Sequence, residues 1–375
     1  MKKIKVMNMI WSMGDGGAQQ VVLNYLRDFQ NDPDIDFWLY VYTNPTNSKY
    51  DLEILKEKYN VVYLNNPKTK IQIPYIKRYF QTPISQKSWE NAIHDFNPDI
   101  VHVHISGLLA NTMPGILKEN VPIRFDTLHS NPYRYKGKLK KTIVKAFLDY
   151  NVIPICLTEE QVSQAKDWYG ITQYEVLHNG VDIDNIKRNI VSKNVARKKF
   201  KIDENAYVIA GVGRLNPIKR FDWLISIFKK VKLKMPNSKL VIAGDGSEKE
   251  RLLQIAQRLN LKQDVQFLGN IDNVIDLYCA ADVLAITSYT EASPLVAIEA
   301  QTCGLRCVIS DGVPSESIIT PNTQKLCADA TEDDWCEALL NKKYVGKPMA
   351  QKEDYEVHNM SRKLKQIYLK YYARG

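Results

Sequence analysis

Nowhere does the sequence hold the roughly 18 consecutive apolar residues that a membrane-spanning helix needs, so no segment reads as a transmembrane helix. Cysteine is sparse: Cys156, Cys279, Cys303, Cys307, Cys327 and Cys336 form no CxxC pair. That argues against a zinc ribbon or disulfide scaffold and for reduced thiols in a cytoplasmic protein. No HExxH occurs, and His102, His104 and His129 have no supporting cysteine cluster, so no metal site is expected. Solenoid-length repeats and low-complexity tracts are absent as well. The opening MKKIKVMNMIW carries the lysines of a signal peptide. Lys5 and Asn8 interrupt its apolar core, however, and no small-residue cleavage site follows, so it reads as a first β-strand.

What is present is the composition of a soluble globular protein. With 45% hydrophobic residues in a chain of 375, there is enough apolar material for two ordinary domains. Lys and Arg outnumber Asp and Glu by 51 to 42, a formal charge of +9. This favours an anionic partner: nucleic acid, phosphorylated metabolite or membrane face. No nucleic-acid recognition motif accompanies the charge, so nucleic acid is the weakest of the three.

Short β-branched runs alternate with turn residues and amphipathic helical stretches. KIKVMNMI precedes GGAQQVVLNYLRDF, DIVHVHI precedes GLLANTMPGILKE, and PIRFDTL, VIPICLT and QYEVLH read as further strands. From Ala206 the pattern starts afresh with YVIAGVGRL, KLVIAGDG, VQFLG, DVLAITS and CVISD, separated by helices. The alternation predicts an α/β protein of two doubly wound, Rossmann-like domains with parallel sheets. We expect them at residues 1–185 and 186–352, with a C-terminal helix at about 353–373 packing back on the first. DIDNIKRNIVSKNVARKKFKIDEN, residues 182–205, lacks a strand pattern and suits a linker with a short helix. Ligands of open parallel sheets bind outside the carboxyl ends of the strands, which is where a site is expected.

Three constellations fall there in the second half. EASPLVAIEA follows the DVLAITS strand, with Ser293 expected as N-cap, Pro294 at the first helical position and the helix ending before Gly304. Such a helix N-terminus attracts phosphate. Glu291 precedes it in the loop and Glu299 lies inside it, and carboxylate oxygens suit the diol of a ribose or sugar ring. Spacing alone leaves open a solvated helix face for Glu299 and an ordinary loop position for Glu291. In AGVGRLNPIKRF, Asn216 and Pro217 are expected to start a helix with Lys219 and Arg220 in its first turn. Cations are unfavourable there unless an anion compensates, and a diphosphate would satisfy them together with Arg214. GVGRLN, which contains Gly213, lacks the last glycine of a dinucleotide fingerprint. VIAGDGSEKE joins strand to helix through Gly244 and Gly246, which allow close approach of a flat ligand, and spaces Ser247 and Glu250 as a capping box.

In the first half, Gly16 and Gly17 of MGDGGAQQ present bare backbone at a helix start. His102 and His104 share one strand face, and His129 ends another strand. Asp182 and Asp184 have a DxD spacing, for which a turn at the domain boundary is the expected role.

Together the GGAQ loop, DIVHVH, the TEE stretch, HNGVD, GVGRLNPIKR, VIAGDGSEKERL, VQFLG and LYCAADVLAITSYTEASPLVAIEAQTCGLRCVISD resemble the family-four retaining glycosyltransferases of GT-B fold. Within the family, the chain looks most like bacterial enzymes of capsular or exopolysaccharide synthesis. The resemblance implies two Rossmann-like domains facing across a cleft, the first binding acceptor and the second a nucleotide-sugar donor, UDP-linked in preference to GDP-linked. It implies transfer of a hexose or N-acetylhexosamine, with retention and without a metal, to a glycan or lipid-linked glycan. Glu299 would hold the ribose, Glu291 the transferred sugar, and Arg214 with Lys219 the diphosphate, beside Ser293 and the N–H groups near Leu295 and Val296. Gly213 and Gly244 would line the donor, Gly16 and Gly17 the donor phosphates or acceptor, and His104 would sit beside the reacting sugar. Two positions depart from the family pattern: Ala292 and Ser293 replace a glycine and a bulky apolar residue, and Arg220 replaces a frequent glycine. The rival readings are a GT-B nucleotide-sugar epimerase and a non-catalytic glycan-binding partner subunit. Finally, YRYKGKLKKTIVK (residues 133–145) and, on a smaller scale, IPYIKRYF mix basic with aromatic and apolar residues. That composition suits contact with an anionic membrane, at the inner face of the cell membrane.

Overall fold

The computed structural model describes residues 2–14, 16–46, 48–64 and 83–374; IPYIKRYF and Asp15 of the MGDGGAQQ loop lie outside them. The chain forms two compact units, Met1–Asn179 with Val357–Gly375, and Gly180–Glu356.

Among the described residues of the first unit, seven parallel strands form one sheet: β1 (Ile4–Ile10), β2 (Ile35–Val41), β3 (Val61–Tyr63), β4 (Ile100–His104), β5 (Ile123–Thr127), β6 (Ile153–Cys156) and β7 (Glu175–Val176). Their order is β3-β2-β1-β4-β5-β6-β7, so the chain reverses direction of growth between β1 and β4, where Val6 faces Ile100 and Met9 faces Val103. In the second unit, β8 (Tyr207–Val212), β9 (Ser238–Ala243), β10 (Val265–Gly269), β11 (Val283–Ile286), β12 (Arg306–Ile309) and β13 (Thr323–Lys325) run β10-β9-β8-β11-β12-β13, with the reversal between β8 and β11. Helices cover both faces of such sheets, which is why β4, β6, β11 and β12 are buried at every residue and read as continuous apolar runs. The helix Phe221–Lys234 shows the covering pattern: Phe221, Leu224, Ile225, Phe228 and Val231 recur at helical spacing and are buried.

Two boundaries differ from the sequence reading. Residues 182–205 hold two helices rather than a linker with one, Ile183–Asn189 and Lys193–Lys199, and both belong to the second unit. Arg197, 3% exposed, anchors them by donating to the Ala280 carbonyl at 3.0 Å and to Asp282 at 2.9 Å. The return to the first unit comes at Val357 rather than about 353, because Tyr355 is buried and its hydroxyl donates to the Glu316 carbonyl at 2.7 Å within the second unit.

The helix Val357–Tyr372 then packs on the helix Gly17–Phe29 of the first unit. Its Lys365 pairs with Asp32 at 2.8 Å and Asp34 at 2.7 Å. Tyr368 meets His102 Nδ1 at 2.6 Å, and His102 Nε2 lies 2.7 Å from Thr127 Oγ1. His102 and His104 are both fully buried and stack with ring centroids 4.2 Å apart.

Burial pushes His102 down to about 3 and holds His104 well below its ordinary range, so both are neutral in the fold. As pH falls below 6.5, the unfolded chain takes up protons that the folded one refuses, and stability falls. Burial raises the Asp126 carboxyl, which has the opposite sign: its contribution is lost as pH rises above 3.8. Two histidines against one carboxyl leave a net loss of stability on acidification from 6.5 to 5. The partly exposed His129 adds in the same direction. Thermal melts are therefore expected to show a lower Tm at pH 5 than at pH 7; an unchanged Tm would contradict a neutral buried pair.

Candidate active site

The reversal in the second sheet places the carboxyl ends of β8 and β11 side by side. The loop after β8 carries Gly213, Arg214 and Lys219; the loop after β11 carries Ser288 and Glu291. Lys219 Nζ donates to Glu291 Oε1 at 2.6 Å across 72 residues of chain, with the side chains only 21% and 12% exposed. Ser288 Oγ donates to the same oxygen at 2.6 Å. Among the described residues both of these bonds fall on Oε1, and none is made to Oε2. The two loops are also joined by backbone, Tyr289 N–H donating to the Ile218 carbonyl at 2.8 Å, while Glu291 N–H donates to the Gly312 carbonyl in the loop after β12 at 2.8 Å. Arg214 follows the same strand and is exposed.

The local geometry corrects three expectations. Lys219 does not lie in the first turn of an α-helix. Pro217–Lys219 is a 3-10 turn in which the Asn216 side chain accepts from Lys219 N–H at 3.3 Å, Arg220 is left-handed at φ 53°, and the α-helix begins at Phe221. The helix after Glu291 runs Leu295–Thr302 with Pro294, not Ser293, at the capping position; proline has no side-chain acceptor, and the cap is unmade. Ser293 is buried beside it. The helix Lys249–Arg258 has Glu248 at its cap and no side-chain cap bond, so Ser247 and Glu250 do not form a capping box.

The glycines answer a different need from the one the motif suggested. At Gly244, with φ +131°, an added Cβ would stand 2.0 Å from the Gly213 carbonyl oxygen, and at Gly246 it would stand 2.3 Å from that of Leu215. Close approach of the loops after β8 and β9, rather than of a ligand, demands glycine there. At Gly213 a Cβ would meet the Lys219 stem at 3.3 Å, so this residue gives Lys219 its room.

Glu299 is half-buried within its helix, and its Oε2 accepts from the Tyr278 hydroxyl at 3.0 Å. Burial, then the nearby Glu299 charge, holds the Tyr278 phenol well above its usual range, so it stays a donor. Glu299 is thus an oriented carboxylate. Leu295 is buried and Val296 half-buried at the first turn, where the helix N–H groups are unspent by the helix itself.

The first-unit residues form their own group at the other reversal. Gly16 is the extended cap of the helix that starts at Gly17, directly after β1. His104 ends β4, fully buried; its Nε2 lies 3.2 Å from Asn8 Oδ1 and its Nδ1 3.0 Å from His129 Nε2. Asn8 directs its Nδ2 to the Trp38 carbonyl, at 3.5 Å, so Oδ1 is the group facing His104. A carbonyl oxygen only accepts, which places the His104 proton on Nε2. His104 Nδ1 then accepts from His129 Nε2–H, leaving the His129 Nδ1 lone pair. His129 is only partly buried, whereas His104 is fully buried, so the series runs from the interior outward. Among the described residues, no three His, Cys, Asp or Glu side chains are arranged to hold a metal ion. Asp182 caps the helix Ile183–Asn189, accepting from Asn185 N–H at 2.7 Å.

Tyr278, Ser288, Asn8 and the outward role of His129 escaped the sequence reading. Ser288 and His129 end predicted strands, a positional signal; Tyr278 and Asn8 lie inside apolar runs and are identified by packing alone.

Comparison with known proteins agrees with this architecture. Residues 15–185 match the family described as Glycosyltransferase Family 4, and residues 192–352 that described as Glycosyl transferases group 1. The chain is 23% identical over 357 residues to the putative glycosyltransferase EpsF of Bacillus subtilis, covering 92% of this chain and 89% of that protein. It is 33% identical over 140 residues to D-inositol 3-phosphate glycosyltransferase of Mycolicibacterium smegmatis, covering 36% of this chain and 31% of that one. The crystal structure of Anabaena HepE in complex with UDP and glucose superposes with a TM-score of 0.80 at 16% identity, covering 98% of this chain and 100% of that chain. Two doubly wound units with these matches define a glycosyltransferase of GT-B fold. The chain belongs to glycosyltransferase family 4.

Two outcomes are expected. Gly244→Ala costs about 2–4 kcal/mol through overpacking and backbone strain, read as a lower urea midpoint at unchanged m; wild-type stability would mean the loops have room. In 15N NMR of labelled histidine near pH 7, His104 and His129 are both neutral and protonated on Nε2, and a proton on Nδ1 of either ring would break the relay.

Proposed function

We propose that the chain transfers a hexose or N-acetylhexosamine, with retention, from a nucleotide sugar to a glycan or lipid-linked glycan acceptor in cell-surface polysaccharide synthesis. The observation that carries this is the Lys219–Glu291 pair at the strand reversal, held on one Glu291 oxygen and followed by a helix N-terminus. UDP is favoured over GDP because the similar fold of HepE is seen with UDP-glucose. Likeness to the putative glycosyltransferase EpsF over 92% of this chain supports glycosyl transfer. In this reading the second unit, Gly180–Glu356, binds the donor and the first binds the acceptor.

The chemistry uses this chain's own groups. The donor diphosphate replaces the Glu291 carboxylate at Lys219, so the half-buried ammonium exchanges one anion for another and is never left unpaired. Arg214 and the N–H groups at Leu295 and Val296 complete the cradle. Glu291, still held by Ser288, turns its oxygens to sugar hydroxyls, and Glu299, held by Tyr278, takes the ribose diol. His129, backed by His104, accepts from a sugar hydroxyl. The anomeric C1–O bond breaks, its electron pair leaving on the nucleoside diphosphate. The acceptor oxygen bonds C1 on the same face, and its proton passes to the departing phosphate oxygen. Charge developing on that oxygen is met by two cations and a helix end, which makes a metal unnecessary.

Among the described residues no helix is long and apolar enough to cross a membrane. The helix Gly137–Leu148 buries Ile143, Ala146 and Phe147 and exposes Lys138, Lys141 and Lys145 on its opposite face, with Leu148 48% and nearby Tyr133 39% exposed. This face suits peripheral contact with anionic lipid at the cytoplasmic side of the membrane.

Transfer is assayed as nucleotide release across a panel of UDP- and GDP-sugars, with and without lipid-linked acceptors. Release without acceptor consumption would point to an epimerase or hydrolase instead. Lys219→Ala is expected to lower kcat about 10²–10³-fold. Glu299→Gln keeps the Tyr278 bond and raises donor KM at least tenfold. Wild-type kinetics in both would remove the site assignment. Replacing Lys138, Lys141 and Lys145 with Glu should weaken sedimentation with phosphatidylglycerol vesicles roughly hundredfold, from about 1 kcal/mol per lysine; equal binding would place the membrane contact elsewhere.

A further inference from the structure

Arg220 stands where a residue with a Cβ is disfavoured. It joins the 3-10 turn Pro217–Lys219 to the helix Phe221–Lys234 with φ 53° and ψ 40°, in the left-handed region. Its side chain shows what holds it there. The guanidinium carbon lies 3.9 Å from the centroid of the Trp223 ring and 4.4 Å from that of Tyr289. A planar, weakly hydrated cation stacks on aromatic faces in a way that an ammonium does not. Among the described residues the guanidinium makes no ion pair or hydrogen bond to protein, so the two rings are its partners. Trp223 belongs to the helix, whereas Tyr289 lies in the loop between Ser288 and Glu291 and is 66% exposed. The stack therefore ties the turn that carries Lys219 to the loop that carries Glu291. Backbone contacts run alongside it: Thr287 Oγ1 lies 2.9 Å from the Lys219 carbonyl oxygen and 3.2 Å from that of Arg220, and Tyr289 N–H donates to Ile218.

We propose that Arg220, through Trp223 and Tyr289, is a positioning residue that keeps the Lys219 and Glu291 loops in register for the donor; this rests on the donor-binding role given to those two residues. The need for it follows from the chemistry. A donor diphosphate draws Lys219 away from Glu291 and removes the ion pair that joins the loops in the free protein. A clasp built from neither residue survives that exchange.

The test is calorimetric titration of the full chain with UDP. Arg220→Gly suits the left-handed backbone, so the fold is retained while the stack is lost. UDP affinity is expected to fall about tenfold, the scale of one well-placed cation–π contact. Tyr289→Leu should lose a similar factor, Tyr289→Phe should match wild type, and the Arg220→Gly/Tyr289→Leu double variant should be no worse than the weaker single variant. Wild-type affinity in Arg220→Gly overturns the clasp. A loss in Arg220→Gly with none in Tyr289→Leu also overturns it, because Arg220 would then touch the nucleotide directly. Additive losses in the double variant overturn it too. If the wild-type chain binds neither UDP nor GDP, the donor reading itself fails, and the clasp falls with it.

Discussion

The ion pair between Lys219 and Glu291 depends on the point where the second sheet reverses direction, and most of the site follows from that point. A parallel doubly wound sheet grows outward in both directions from one pair of strands, β8 and β11, and leaves the loops beyond their carboxyl ends with no crossover helix between them. Everything that shapes the cradle serves to bring those loops together. Gly213 clears space for the lysine stem, and Gly244 and Gly246 let the neighbouring loop press against the first. Gly312 does the same opposite Tyr289, where a Cβ would stand 2.2 Å from the carbonyl oxygen.

The first unit meets the same constraint with neutral groups. Its reversal lies between β1 and β4, and the polar residues there, Asn8 and His104, are fully buried. Buried polar groups are tolerated when each has a partner, and here the partners form a directional series. An amide oxygen fixes one imidazole, that imidazole fixes the next, and the last keeps exposed surface. A second series, from Tyr368 through His102 to Thr127, ties the C-terminal helix to the same sheet. The second unit gathers charged groups at its reversal, whereas the first gathers neutral ones that end in an oriented lone pair.

Much of this was legible in the linear pattern. Continuous apolar runs followed by glycine turns mark parallel strands and their ligand-facing ends, and in this chain Glu291, Lys219, Gly16, Gly17 and His104 all fall at such ends. Caps were harder to read. Ser293, Ser247 with Glu250, and the turn at Lys219 all had the right residue types at the right spacing, and the cap moved by one residue in the first two and the helix start by about one turn in the third. Side-chain capping competes with loop packing for the same backbone groups, and at these strand ends the close approach of neighbouring loops prevails. The stretch at 182–205 misled for a related reason: its helices are short and polar, and the partners that hold Arg197 are 83 and 85 residues away.

The sequence by itself determined the class of fold, the alternation of strands and helices, and the identity of the charged residues at the strand ends, because periodicity and turn chemistry are local properties of a chain; the strands Ile35–Val41, Val61–Tyr63 and Thr323–Lys325 were not read from it. Tertiary structure decided which of those residues meet. The 72-residue separation of Lys219 from Glu291 closes only because β8 and β11 are neighbours in the sheet. Tyr278 becomes the partner of Glu299, His129 the partner of His104, and Arg220 reaches the ring of Tyr289. Each of these is a contact between segments distant in sequence, and no local spacing encodes it.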